Sequence, residues 1–82
     1  MAKKATPEVV NDELQKALTE MGAEMDGYKR EASFEDLDVD SLDLVELAQV
    51  VEDEFGVQLT GDDMKELVTV GDAIDMVVAR GA

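Results

Sequence analysis

The stretch Asp40-Ser41-Leu42-Asp43-Leu44-Val45-Glu46-Leu47-Ala48-Gln49-Val50-Val51-Glu52-Asp53-Glu54-Phe55-Gly56 carries both the period of an amphipathic helix and the signals for its two ends. Asp40 is a capping residue, and Asp43 three positions later is a weak variant of the capping box. Gly56 supplies the residue that tolerates a left-handed stop. A helix is therefore expected from about Ser41 to Phe55. Leu44, Leu47, Ala48, Val51 and Phe55 recur at core spacing, whereas Leu42, Val45, Glu46, Gln49, Glu52 and Asp53 share a second face. That second face mixes apolar and acidic groups, which a purely solvated face does not need.

Upstream, Thr6 followed by Pro7 reads as an N-cap with proline at the first helical position, and Val10, Leu14, Ala17, Leu18 and Met21 follow at helical spacing until Gly22. The opposite face, with Asn11, Asp12, Glu13, Gln15, Lys16 and Glu20, is polar. From Gly22 to Asp40 no period is sustained. A connection of that length in a small domain is functional or pinned by its own side chains, and Phe34 and Leu37 are the expected pins. Downstream, Thr60-Gly61-Asp62-Asp63 suits a turn opening a short helix through Met64 and Leu67. Thr69 with Asp72 caps a last helix whose apolar positions are Val70, Ala73, Ile74, Val77 and Val78. No strand alternation of useful length appears. The expectation is an all-α bundle of three main helices plus one short helix, with a long loop between helices 1 and 2. Residues 1–82 form a single domain, with residues 1–5 as a flexible N-terminus.

With 82 residues, the chain sits just above the roughly 70 to 80 residues below which a core needs a staple. It has no Cys and no His, which excludes disulfides, thiolate zinc sites, thiol nucleophiles and imidazole bases from its own side chains. An enzyme is not expected. The 21 acids against 7 bases give a formal net charge of −14, which repels nucleic acid and anionic membrane and favours basic protein surfaces as partners. From Glu31 to Met64 there are twelve carboxylates and no Lys or Arg. Such charge also accompanies disorder, but 45% apolar residues in clear periodicity favour a fold. No apolar h-region follows Lys3 and Lys4 and no run reaches transmembrane length, so a cytoplasmic protein is expected.

Ser41 is the one side chain that combines a nucleophilic oxygen with a distinctive setting. In the first helical turn it stands where free N–H groups and the positive end of the helix dipole favour an anion, and a phosphodiester there is stabilised. No His, Lys or other base lies nearby in sequence, so Ser41 lacks the partner a catalytic serine requires and its chemistry must be done to it by another enzyme. A plain capping serine is the ordinary alternative, but Asp40 already serves as cap and Leu42 is an apolar residue expected to be exposed beside it.

The runs Ala32-Ser33-Phe34-Glu35-Asp36-Leu37, Asp40-Ser41-Leu42-Asp43-Leu44-Val45-Glu46-Leu47 and Glu52-Asp53-Glu54-Phe55-Gly56-Val57 resemble the acyl carrier protein family. Thr69-Val70 and Ala73-Ile74-Asp75 fit that family's last helix. The resemblance covers roughly residues 32 to 79 closely and the first helix by type. It implies that Ser41 receives 4′-phosphopantetheine from coenzyme A through a carrier-protein synthase, flanked by Asp40 and Leu42, and that the arm's thiol holds acyl groups as thioesters. It also implies a recognition helix read by basic patches on ketoacyl synthases, acyltransferases and other fatty acid or polyketide enzymes. That role falls on Asp43, Glu46, Gln49, Glu52 and Asp53, with Leu42 and Val45 as apolar contacts. One exposed ion pair contributes about 0 to 1 kcal/mol, so the joint field matters chiefly for association rate. A monomer is expected, without metal and without membrane insertion.

Around a cargo chain the expected residues are Phe34, Leu47, Val51, Leu67 and Ile74. Met21, Met25, Met64 and Met76 suit either a channel or ordinary core. Relative to the commonest fatty-acid pattern, Asp38 and Val39 replace Gly and a small residue, Gln49 stands where Met is frequent, and Thr60-Gly61 replaces a Pro-Asp step. The loop before Asp36 is also one residue shorter. A secondary fatty-acid or polyketide carrier thus stands beside the housekeeping one.

Two other readings compete. Asp36, Asp38 and Asp40 fall at positions 1, 3 and 5 of a calcium loop, but Ser41 stands where the turn glycine belongs and Leu47 where the bidentate Glu belongs. An acidic interaction module without a prosthetic group is the second. For any of these, the net charge of −14 opposes compaction, so added salt or millimolar divalent cation is expected to raise the melting temperature. A melting temperature unchanged across a salt titration would contradict this.

Overall fold

In a computed structural model, residues 3–81 are described, and they form four helices: α1 (Pro7–Glu20), α2 (Ser41–Phe55), α3 (Gly61–Lys65) and α4 (Val70–Gly81). Among the described residues there is no strand beyond one isolated antiparallel bridge, Ser33 to Thr69. The all-α architecture, the short third helix and the long first loop follow the sequence expectation.

Each main helix begins at a side-chain cap. The Thr6 hydroxyl accepts from the Val9 N–H at 3.3 Å, with Pro7 at the first position of α1, where its missing donor costs nothing. Asp40 and Asp43 close a full capping box on α2, and Thr69 with Asp72 does the same for α4, each N–H to side-chain oxygen distance being 3.1 Å. Gly56 ends α2 at φ 71°, a left-handed conformation that a β-carbon would oppose, and its N–H donates to the Glu52 carbonyl at 2.9 Å. The short helix differs from expectation in extent. It stops at Lys65 because its last turn closes through i to i+3 bonds, Glu66 to Asp63 and Leu67 to Met64, which swing Leu67 into the core instead of along a helix face.

The core gathers Val10, Leu14, Ala17 and Leu18 of α1, Leu47, Val51 and Phe55 of α2, and Val70, Ala73, Ile74 and Val77 of α4. Leu44 and Ala48, placed on the core stripe by spacing, are half-buried at its margin. Met21, Met25, Met64 and Met76 also pack against the margin.

The long loop is held in three ways. Phe34 and Leu37 are its buried anchors, as the sequence suggests. Burying two such side chains is worth about 1.5 to 3 kcal/mol each, against about 1 to 2 kcal/mol for every backbone residue ordered, so apolar anchors alone do not hold it. A short ladder adds backbone pairing: the Phe34 N–H donates to the Val68 carbonyl (3.0 Å), Val70 to Ala32 (3.0 Å) and Gly71 to Arg30 (2.9 Å). These contacts satisfy two of the free N–H groups at the start of α4. Gly71 permits the approach, since a β-carbon there would lie 3.2 Å from the Arg30 carbonyl oxygen. Tyr28 supplies the third tie, its hydroxyl donating to Asn11 Oδ1 at 2.7 Å across to α1.

Of the N-terminal stretch expected to be flexible, residues 1 and 2 lie outside the described residues. From Lys3 onward the chain is tied down: the Lys3 N–H donates to the Glu54 carbonyl, its ammonium pairs with Glu13 and Glu54, and Ala5 is buried against Gly81.

Asp38, at the position where the family pattern favours glycine, has φ 62°. An L-residue pays for the left-handed region in steric energy, Asp less than most because its short polar side chain is tolerated there. Asp38→Gly is expected to stabilise the fold by about 0.5 to 1 kcal/mol. It should raise the urea midpoint more than Asp38→Asn, which removes the charge alone. Equal gains in the two variants would show that charge, not backbone strain, is the cost at this site.

Burial, and secondarily the Asp12 charge, pushes the Tyr28 phenol up from 10.0 to about 12. A group whose folded pKa is raised contributes stability that is complete below its unfolded pKa and is lost as pH rises through the folded one. Since the chain has one Tyr and no Trp, absorbance titration should place tyrosinate formation near pH 12 in the folded protein and near 10 in urea, with stability falling between those values. Titration of the folded chain at the unfolded value would refute this.

Candidate functional site at the start of the second helix

Ser41 is the first residue of α2 and is exposed. The capping box on either side of it is reciprocal: the Asp43 N–H donates to Asp40 Oδ1 at 3.0 Å, and the Asp40 N–H donates to Asp43 Oδ2 at 3.3 Å. The Leu44 N–H then begins the helical ladder on the Asp40 carbonyl at 3.0 Å. Among the described residues, the N–H groups of Ser41 and Leu42 donate no bond, and the Ser41 hydroxyl makes none. The serine oxygen therefore stands free beside two unused donors at the positive end of a helix of four turns. Among the described residues no base hydrogen-bonds it, so the oxygen is not a nucleophile activated from within.

The recognition residues read from the sequence share the surface that begins at Ser41. Leu42 is 75% exposed and Val45 55%, with Glu46, Gln49, Glu52 and Asp53 also exposed along the same helix. Asp43 is half-buried, its carboxylate committed to the capping box. Gln49 Nε2 approaches Asp53 Oδ1 and Gln58 Nε2 approaches Glu52 Oε1, both at 3.4 Å, bracing two of the acids without neutralising them. Among the described residues none of Asp43, Glu46, Glu52 and Asp53 pairs with a Lys or Arg, whereas Glu13, Glu54, Asp62, Asp63 and Asp75 do.

Beside Ser41 opens a groove of about 230 Å³ lined by Phe34, Val39, Leu44, Leu67 and Val68 together with Ser33, Glu35, Asp40 and Ser41. Of the five residues expected around a cargo chain, Phe34 and Leu67 line this groove. Leu47 and Val51 are sealed in the core, and Ile74 borders a separate groove between α1, the loop and α4. Val39, Leu44 and Val68 were missed by sequence reading. Leu44 follows core spacing, and Val39 carried a signal in its departure from the family pattern. Val68, 59% exposed, has none, since a single valine between two helices shows no period.

The acids proposed as a calcium loop go separate ways. Asp36 accepts from the Ser33 N–H, Asp38 occupies the left-handed turn and Asp40 caps α2. Among the described residues no three acidic side chains are grouped to hold a metal.

A small helical bundle presenting an uncommitted serine at the head of an anionic helix is the architecture of a carrier domain. A family profile described as "Phosphopantetheine attachment site" matches residues 12–77. The acyl carrier proteins of Nitratidesulfovibrio vulgaris strains DP4 and Hildenborough are each 48% identical over 61 residues, covering 73% of this chain and 80% of theirs. A crystal structure of an acyl carrier protein from Thermotoga maritima superposes with a TM-score of 0.75 at 26% identity, covering 89% of this chain and 86% of that one. The chain belongs to the acyl carrier protein family. It is accordingly a carrier and not an enzyme, with covalently attached 4′-phosphopantetheine as its prosthetic group and synthase and fatty acid enzymes as the family's general partners. No helix among the described residues is long and apolar enough to cross a membrane.

Proposed function

We propose that Ser41 is the residue that bears the prosthetic group, and that this chain works as a single, monomeric, cytoplasmic carrier domain in type II fatty acid or polyketide synthesis. The observation that carries the reading is the exposed Ser41 hydroxyl, free of any internal bond, beside the unused N–H groups of Ser41 and Leu42. A phosphodiester on that oxygen meets two donors and the positive end of α2, which offset the nearby Asp40 and Asp43 charges; those carboxylates are already turned onto each other's backbone. When attached, 4′-phosphopantetheine supplies the thiol on which acyl groups are held as thioesters. The chain itself has no cysteine to compete for them.

The protein's own residues do the rest. Leu42 and Val45 form an apolar contact next to the attachment point, and Asp43, Glu46, Gln49, Glu52 and Asp53 surround it with negative potential that steers basic docking patches of a carrier-protein synthase, ketoacyl synthases and acyltransferases. Phe34 and Leu67 offer the first apolar contacts to a cargo chain in the groove beside Ser41, with Leu47, Val51 and Ile74 deeper in the bundle as the surface reached when helices part.

Incubation with coenzyme A and a phosphopantetheinyl transferase, followed by mass spectrometry, tests the assignment. The unaltered chain should gain the mass of one phosphopantetheine, and Ser41→Ala none while keeping its helical circular dichroism. Loading of the alanine variant would overturn the assignment of Ser41.

A further inference from the structure

The carboxyl end of α2 concentrates negative charge. Glu52, Asp53 and Glu54 fall in its last turn, where the helix dipole is itself negative, and neither α1 nor α2 carries a base in its own last turn. A cation from another segment meets this end. The Thr6 N–H donates to the Lys4 carbonyl at 3.0 Å, a tight reversal from which residues 3–5 run back to α2. The Lys3 N–H then donates to the Glu54 carbonyl at 2.6 Å, and its ammonium lies 2.9 Å from Glu54 Oε2 while also pairing with Glu13 of α1.

Glu13 gives this contact its weight. Its side chain is only 15% exposed, so water solvates the carboxylate poorly, and Lys3 is its one paired cation among the described residues. Lys16 borders the same crevice between α1 and α2 as Glu13, Glu20 and Glu54, yet among the described residues it pairs with none of these acids. Hydrogen bonding to Glu13, and then to Glu54, raises the Lys3 pKa above its ordinary value. Shape seats the strap as well. Ala5 is buried, and a β-carbon on Gly81 would lie 2.5 Å from that of Ala5, so the bare glycine at the end of α4 is what leaves room for it.

We propose that residues 3–5 are a charge-dependent clasp, in which the Lys3 ammonium is the built-in counter-ion for the carboxyl end of α2 and ties it to Glu13 of α1, while Ala5 anchors the strap against the end of α4. The clasp grips α2 at the end opposite Ser41, about 20 Å away at a rise of about 1.5 Å per residue. One positive charge closes it, so its strength falls as salt screens that charge. The inference stands apart from the reading of Ser41.

Thermal unfolding of the full chain at two salt concentrations tests the clasp. Lys3→Met keeps the stem and removes the charge. Relative to the parent it should lower the melting temperature by about 4 °C in about 10 mM NaCl and by less than about half of that in about 1 M, because the screening length falls from about 30 Å to about 3 Å. Lys3→Arg should keep most of the parent's stability at both concentrations. Gly81→Ala unseats Ala5 without touching a charge, so the double variant with Lys3→Met should lose less than the sum of the two single losses. In hydrogen–deuterium exchange at low salt, Lys3→Met should accelerate amides 53 to 56 about threefold and leave amides 44 to 48 unchanged. If Lys3→Met does not fold at low salt, its recovery at high salt is the expected result, and failure at both counts against the clasp. A loss of equal size at both concentrations, an arginine variant as unstable as the methionine one, or exchange accelerated evenly along α2 would overturn it.

Discussion

Two aspartates, each accepting the other's backbone N–H across Ser41 and Leu42, set the point at which α2 begins, and the rest of the site depends on that register. A start one residue later would turn Ser41 out of the helix, and the apolar stripe of Leu47, Val51 and Phe55 would still select the same face for burial. The box thus holds the hydroxyl at the first position while the core holds the helix rotation. It also resolves an electrostatic conflict. Carboxylates beside an anion acceptor are unfavourable unless they are committed elsewhere, and here each is turned toward a backbone donor.

The charge distribution follows from the same economy of partners. Lys3 and Arg80 serve the packing of the bundle, tying the N-terminal segment to α1 and α2, and α4 to α3, while Arg30 pairs with Asp75 at the surface. The exposed face of α2 is left without a cation among the described residues, so its negative potential is neither screened nor balanced from within. Lys3 and Arg80 thus serve the architecture while the acids of the exposed α2 face point outward, a division consistent with a protein that meets basic surfaces.

Much of this was legible in the sequence because helices announce themselves locally. Thr6-Pro7, Asp40 with Asp43, Gly56, and Thr69 with Asp72 all lie within a few residues of the ends they define, and the stripes on α1, α2 and α4 repeat often enough to be unambiguous. The Thr60 and Asp63 box obeys the same rule and opens the short helix expected there, but five helical residues are too few to establish a period, so its end at Lys65 was not legible. Less legible was everything that depends on distant chain segments meeting. Arg80 on Asp63, Tyr28 on Asn11, and the backbone pairing of Ala32 and Phe34 with Val70 and Val68 have no spacing rule to reveal them. The groove beside Ser41 was half legible for that reason: Phe34 and Leu67 are strong apolar positions, whereas Val39 and Val68 matter only because the loop brings them together.

That backbone pairing has a consequence for how the molecule comes apart. The N–H groups of Val70 and Gly71 at the head of α4 find their acceptors on Ala32 and Arg30, so the loop cannot peel away without leaving donors of the last helix unmet. Long connections usually fray first and alone, but this one is hydrogen-bonded to the head of α4, which couples the opening of the two. The segment leading into the serine is therefore expected to melt with the far end of the chain, so that disorder introduced at either place is felt at the other.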